Sequence, residues 1–156
     1  MDSLESPYHF ERHATHGVVS LNPLINEGQW GTVTEVGNEI LTLLEALPGQ
    51  VLIVDLSRLK YIGSPQLALL VRLWKSLKQR QGRMAVECPN DIIREILTTA
   101  GMRSLWQIVD TRDAALDAVG VARINRVDPR SWFRFATHWF SAPRTRVLNQ
   151  VGPAHQ

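Results

Sequence analysis

A chain of 156 residues, 44% hydrophobic and 21% charged, has the size of one domain with one core, and its composition excludes a fibrous or wholly disordered protein. Charged residues interrupt every apolar stretch, so none approaches the roughly 20 residues that span a bilayer, and Met1 to Phe10 lacks the basic start and apolar run of a secretory signal. The net charge of +2 hides an asymmetry: residues 1–120 carry 11 Lys and Arg against 14 Asp and Glu, whereas residues 121–156 carry six Arg against Asp128 alone. A cytoplasmic location is expected. The single Cys88 forms no intramolecular disulfide and has no Cys/His set at zinc spacing around it, so neither a structural metal nor a cofactor is expected.

Gly17-Val-Val-Ser-Leu21 is short and β-branched and stops at Asn22-Pro23, the pattern of a strand, and Tyr8–Arg12 can pair with it as an edge strand. From Thr32 the period changes. Val33, Val36, Ile40, Leu43, Leu44 and Leu47 recur three and four apart, which predicts a helix ended by Pro48-Gly49. Val51-Leu-Ile-Val-Asp55 is a continuous apolar run of the kind buried on both faces of a sheet. After Leu59–Ile62, Gly63-Ser64-Pro65-Gln66 opens an amphipathic helix with Leu67, Leu70, Val71, Trp74 and Leu77 on its apolar face and Arg72, Lys75, Lys78 and Arg80 near the other; Gly82 stops it.

Arg83–Glu87 reads as a third strand. Pro89-Asn90 leads into a helix carrying Ile92, Ile93, Ile96 and Leu97 that ends at Gly101. Leu105–Val109 reads as a fourth strand, and Thr111 or Asp110 caps a last helix through Ala114, Leu116 and Val119. This alternation predicts an α/β domain over residues 1–120, a small, mostly parallel sheet of four to five strands with about four helices, and leaves open whether the helices cover one face or both. Beyond Gly120 lies a basic, aromatic extension, residues 121–156.

The run from Val51 to Leu116 resembles the STAS family of anti-sigma factor antagonists, in which an apolar strand ending in Asp leads to an Asp-Ser-Ser/Thr-Gly-Leu turn that opens a helix. The corresponding residues are Val51–Asp55 and Gly63-Ser64-Pro65-Gln66-Leu67, with Gly101-Met102 and Asp110–Leu116 resembling the family's later Gly-Met pair and final helix. Here Gly63 replaces the family Asp, Pro65 the second Ser or Thr, and Gln66 the Gly. Upstream, Asn26 stands where the family has Asp. The resemblance implies a STAS-like fold and a protein that binds a partner, an anti-sigma factor with a kinase-like fold, through Gly63, Ser64, Pro65, Gln66, Leu67 and Asn26. It also implies Ser64 as the residue phosphorylated by that kinase. The alternative it leaves is a non-phosphorylated STAS scaffold or transport-accessory protein docking on a membrane complex.

The residues themselves permit two readings of Ser64. A Ser-Pro pair at a helix start suits an N-cap followed by Pro at N1, while a phosphate there would meet free amides and the positive end of the helix dipole. Asp55 occupies the strand end where open sheets bind ligands, but no glycine-rich phosphate loop follows it, so a structural role in the loop is expected. His9, His13 and His16 read as solvated or strand-lining, and Cys88 as an ordinary buried thiol. No nucleophile–base pair or paired carboxylates occur at a recognisable spacing, so catalysis is not expected. Leu67 and Leu69, read as exposed near the turn, are compatible with a homodimer. In the extension, Trp132, Phe135, Trp139 and Phe140 fall on one helical face beside Arg130 and Arg134, a pattern that fits packing, partner docking or peripheral membrane contact through residues 121–156 better than direct nucleic-acid binding.

Overall fold

The computed structural model describes residues 6–27 and 30–121. Strand β1 (Tyr8–Arg12) turns back into β2 (Gly17–Leu21); helix α1 (Trp30–Glu45), β3 (Val51–Asp55), α2 (Ser64–Gln79), β4 (Arg83–Glu87), α3 (Asp91–Thr99), β5 (Gln107–Val109) and α4 (Arg112–Ala118) follow. The strands lie in sequence order, β1-β2-β3-β4-β5, with β1 antiparallel to β2 and every later pair parallel. The aromatic extension read from Trp132, Phe135, Trp139 and Phe140 lies outside the described residues.

Because side chains alternate across a strand, each of β2 to β5 feeds two cores, whereas β1 feeds one. Val19, Leu21, Leu52, Val54, Met84 and Val86 pack under α1, α2 and α3, while Val18, Ile53 and Ala85 pack against Ala115 and Val119 at α4. Helices therefore cover both faces, and β3, at the centre, is buried at all five positions. That explains its unbroken apolar sequence.

Three local expectations shift. The apolar face of α2 is turned relative to the expected one: Leu69, Leu70, Leu73 and Leu77 are buried, so Leu69 is not exposed, and Leu67, Val71 and Trp74 sit at the rim. Leu67 to Leu73 is apolar at six of seven positions, which leaves two overlapping faces, and buried Gln66 selects between them. Strand β5 begins at Gln107 rather than Leu105, because a 3-10 turn at Met102–Ser104 takes up Leu105, whose amide donates to the Met102 carbonyl. Ile92, expected on the apolar face of α3, is 67% exposed, whereas Ile93 and Leu97 are buried.

The end of α2 differs from expectation in mechanism. Gln81, not Gly82, holds the left-handed position at φ 59°, and the amides of Gly82 and Gln81 donate to the carbonyls of Leu77 and Lys78 at 2.7 and 3.1 Å, a Schellman closure. Gly82 is needed for a different reason: a Cβ there would lie 2.3 Å from the Gln50 carbonyl oxygen. Gly82→Ala is accordingly expected to lower stability in urea unfolding by about 1–3 kcal/mol, the usual cost of overpacking, while Gln81→Gly is neutral or stabilising.

Candidate partner-binding site

The site grows from the carboxyl end of β3. Asp55 is buried there with its acceptors engaged: Oδ1 receives the Ser57 amide at 2.8 Å, and Oδ2 receives the Ser20 hydroxyl and the Arg112 guanidinium, each at 3.1 Å. Arg112 also donates from Nε to Glu87 at 2.7 Å, so one cation from the first turn of α4 ties the ends of β3 and β4. Its two carboxylates hold the guanidinium pKa above the ordinary value despite the opposing effect of burial. Asp55 is thus a structural residue of the loop, as its setting in the sequence suggests.

From Leu56 to Ile62 the chain alternates pegs and displayed residues. Leu56, Leu59 and Ile62 are buried, whereas Ser57, Arg58, Lys60 and Tyr61 are exposed, Tyr61 by 62%. Gly63 is extended (φ −112°, ψ −178°) and is the N-cap of α2, with Ser64 the first helical residue and Pro65 in the first turn, where it loses no needed amide bond. Ser64 is therefore not the cap. The capping work falls to Gln66, three residues after Gly63, whose Oε1 accepts the Gly63 amide at 2.9 Å. Ser64 is exposed, and among the described residues its hydroxyl makes no hydrogen bond.

Two side chains clasp this turn to the 3-10 segment Pro23–Asn26 that follows β2. Gln66, only 3% exposed, donates from Nε2 to the Ile25 carbonyl at 3.0 Å, and Asn26 donates from Nδ2 to the Tyr61 carbonyl at 2.9 Å. Of the four departures from the family pattern, those at Gln66, Asn26 and Gly63 find a local cause. Aspartate at position 26 could not donate to Tyr61. A side chain at position 63 would have its Cβ 3.1 Å from Gln66 Oε1 and 3.2 Å from the Tyr61 hydroxyl, so Tyr61 folded over Gly63 and the Gln66 cap take the space that Asp would use. Gly63, Ser64, Pro65, Gln66 and Asn26 are brought together here. Leu67, half-buried, begins the helix face leading away.

The remaining candidates lie elsewhere. His9 and His13 approach Glu11 at 3.7 and 3.3 Å, and the His13 and His16 rings stack at 4.5 Å. Burial, followed by His13 and Arg112, holds the His16 pKa below the usual histidine value. Among the described residues no group of three or more His, Cys, Asp and Glu is placed to hold a metal, and no helix is long and apolar enough to cross a membrane. Cys88 is fully buried, which pushes its thiol up. Sequence reasoning missed the Arg112 bridge and the placement of Tyr61. The Gln66 cap had a signal, a Gln three residues beyond an N-cap.

The sheet has one antiparallel and three parallel pairs, and the turn that displays Ser64 follows the carboxyl end of its central strand. Residues 20–115 match the STAS domain model, and the chain belongs to that family. A putative anti-sigma factor antagonist, BtrV, of Bordetella bronchiseptica is 31% identical over 70 residues, a match covering 45% of this chain and 60% of that protein. An anti-sigma-factor antagonist (STAS) domain protein from Planctomyces limnophilus shares the fold with a TM-score of 0.63 at 22% identity, over 74% of this chain and 99% of that one. The Bacillus cell fate determinant SpoIIAA in its phosphorylated form does so with a TM-score of 0.52 at 19% identity, over 70% of this chain and 96% of that one.

Replacing Gln66 by Leu strands the Gly63 amide and the Ile25 carbonyl, so a loss of about 2 kcal/mol is expected in denaturant unfolding, with faster hydrogen exchange confined to residues 61–67. Ser64→Ala, by contrast, is expected to change stability by less than about 0.5 kcal/mol, where loss of a true cap would cost about 1 kcal/mol.

Proposed function

We propose that this chain is a phosphorylation-controlled binding module of the anti-sigma factor antagonist kind, working in the cytoplasm, which docks through Gly63–Leu67 on an anti-sigma factor with a kinase-like fold. The observation that supports this most is the state of Ser64: an exposed hydroxyl, free of the capping bond, at the first position of a 16-residue helix. A hydroxyl engaged as a cap would have to break its bond to be phosphorylated. This one does not. Once formed, the phosphate would sit at the positive end of α2, where an anion is stabilised and the helix is not unwound. The neighbouring groups cooperate, because Gln66 and Asn26 hold the turn from behind and leave its outer side clear.

The relatives point the same way: a protein similar over 70 residues is described as a putative anti-sigma factor antagonist, and a domain of similar fold has been solved in a phosphorylated form. Binding of the unmodified chain would sequester the anti-sigma factor, and modification would release it.

The check is a pull-down with wild type, Ser64→Ala and Ser64→Asp, read by mass spectrometry, alongside phosphate mapping after incubation with the recovered kinase. Wild type and the Ala variant are expected to retain a kinase-like anti-sigma factor, the Asp variant to lose about nine-tenths of it or more, and phosphate to appear on Ser64 alone. Equal recovery of membrane or transport components by all three baits would make the chain a constitutive scaffold instead.

A further inference from the structure

Charge is distributed along the first 120 residues in a way that net composition conceals. Between Asp55 and Glu87 there are seven Lys and Arg and no Asp or Glu, while the rest of residues 1–120 holds four Lys and Arg against 14 Asp and Glu. This acid-free stretch comprises the displayed turn, α2 and all of β4 but Glu87. Among the described residues just one of its cations forms an ion pair, Arg80 with Glu45 at 3.3 Å. Arg58 and Lys60 stand exposed beside Tyr61, and among the described residues neither pairs with a carboxylate.

The same stretch carries an apolar groove. Leu67, Ala68, Val71 and Met102 line it, with Arg72 and Lys75 at its edges. Ser64, Leu67, Ala68, Val71 and Lys75 are separated by the three- and four-residue steps of one helical stripe, so Ser64 stands at the head of the groove. Tyr61 adds an exposed ring at that end. Its carbonyl is held by Asn26 and its hydroxyl lies against Gly63, so an aromatic of the kind that anchors interfaces is kept at the turn.

We propose that the turn Arg58–Tyr61 and the stripe from Ser64 to Lys75 form an electropositive docking surface for an acidic protein ridge with an apolar centre, its carboxylates met by Arg58 and Lys60 and its apolar centre by the groove. The inference rests on the function proposed above and adds the chemistry of the partner. A protein ridge is favoured over a polyanion because the groove between the cations is apolar, whereas phosphate backbones and lipid headgroups are met by cations without such a floor. A phosphoserine at the head of this surface would bring about −1.5 to −2 charges, so the release proposed above acquires an electrostatic cause in an acidic ridge.

The test uses the full chain and the purified kinase-like anti-sigma factor, with Kd measured across a salt series for wild type, Arg58→Ser/Lys60→Ser, Tyr61→Ala and Ser64→Asp. Wild-type Kd is expected to rise with salt; the double variant and Ser64→Asp to bind about tenfold more weakly at low salt and to lose most of the salt dependence; and Tyr61→Ala to weaken about tenfold while keeping it. Salt-independent wild-type binding, or a double variant equal to wild type, overturns the proposal and leaves the function standing. No binding of the kinase by wild type fails both. Pelleting with phosphatidylglycerol vesicles, or binding of duplex DNA, that the Arg58/Lys60 double variant abolishes would assign the surface to a membrane or a nucleic acid and overturn it equally.

Discussion

The displayed turn depends on one buried amide. Gln66 accepts the Gly63 amide and donates to the Ile25 carbonyl, so a single side chain caps α2 from inside and fastens it to the segment after β2. Buried polar groups must be paired, and here the pairing is bought at a useful place: the backbone groups that Gln66 satisfies are those that would otherwise let the Ser64 turn drift. A serine cap would have met the Gly63–Leu67 junction with its own hydroxyl and consumed the group that stands exposed. Moving the capping oxygen from Ser64 to Gln66 separates the task of holding the helix from the chemistry available at its first residue.

The turn is also braced from the opposite face of the sheet. Asp55 and Glu87 end two adjacent parallel strands on the side covered by α4, and Arg112 joins them while Ser20 donates to Asp55 from β2. Two carboxylates side by side at a buried strand end would repel each other without that guanidinium. Through Leu56, whose amide donates to the Glu87 carbonyl at 2.9 Å, the bracing reaches the first residue of the loop. The turn is therefore braced by the Gln66 and Asn26 bonds on one face of the sheet and by the Arg112 bridge on the other.

Much of this was legible in the order of residues. The unbroken run Val51–Asp55 declared a strand covered twice, and the three- and four-residue spacing of Val33, Val36, Ile40 and Leu44 declared α1, because both patterns follow directly from local periodicity. What was not legible required either a choice between near-equal patterns or a contact across the chain. Six apolar positions among Leu67 to Leu73 gave two candidate faces for α2, and the outcome turned on where Gln66 could bury both ends of its amide. The Ser-Pro pair fitted N-cap and N1 as well as N1 and N2, and the extended conformation of Gly63 decided it. Arg112 lies 57 residues from Asp55, so no periodicity could announce their pairing.

Fold and charge divide the labour at this edge of the sheet. The fold positions a turn that many sequences of this architecture could carry, since the hydrogen bonds that hold it are made by backbone carbonyls, a glutamine and an asparagine, none of which depends on pH or salt. Charge is then free to vary on the outer side without cost to the core: Arg58, Lys60 and Lys75 are exposed, and surface charges away from structural contacts change stability little. Specificity among related turns would in that case reside in displayed side chains, here Tyr61 between two cations and a groove floored by Leu67 and Val71. Loss of carboxylates at positions 26 and 63 belongs to the same logic. Asn26 is required by the Tyr61 carbonyl and Gly63 by the Tyr61 ring, so placing an exposed aromatic over Gly63 removes negative charge from the turn in the same step.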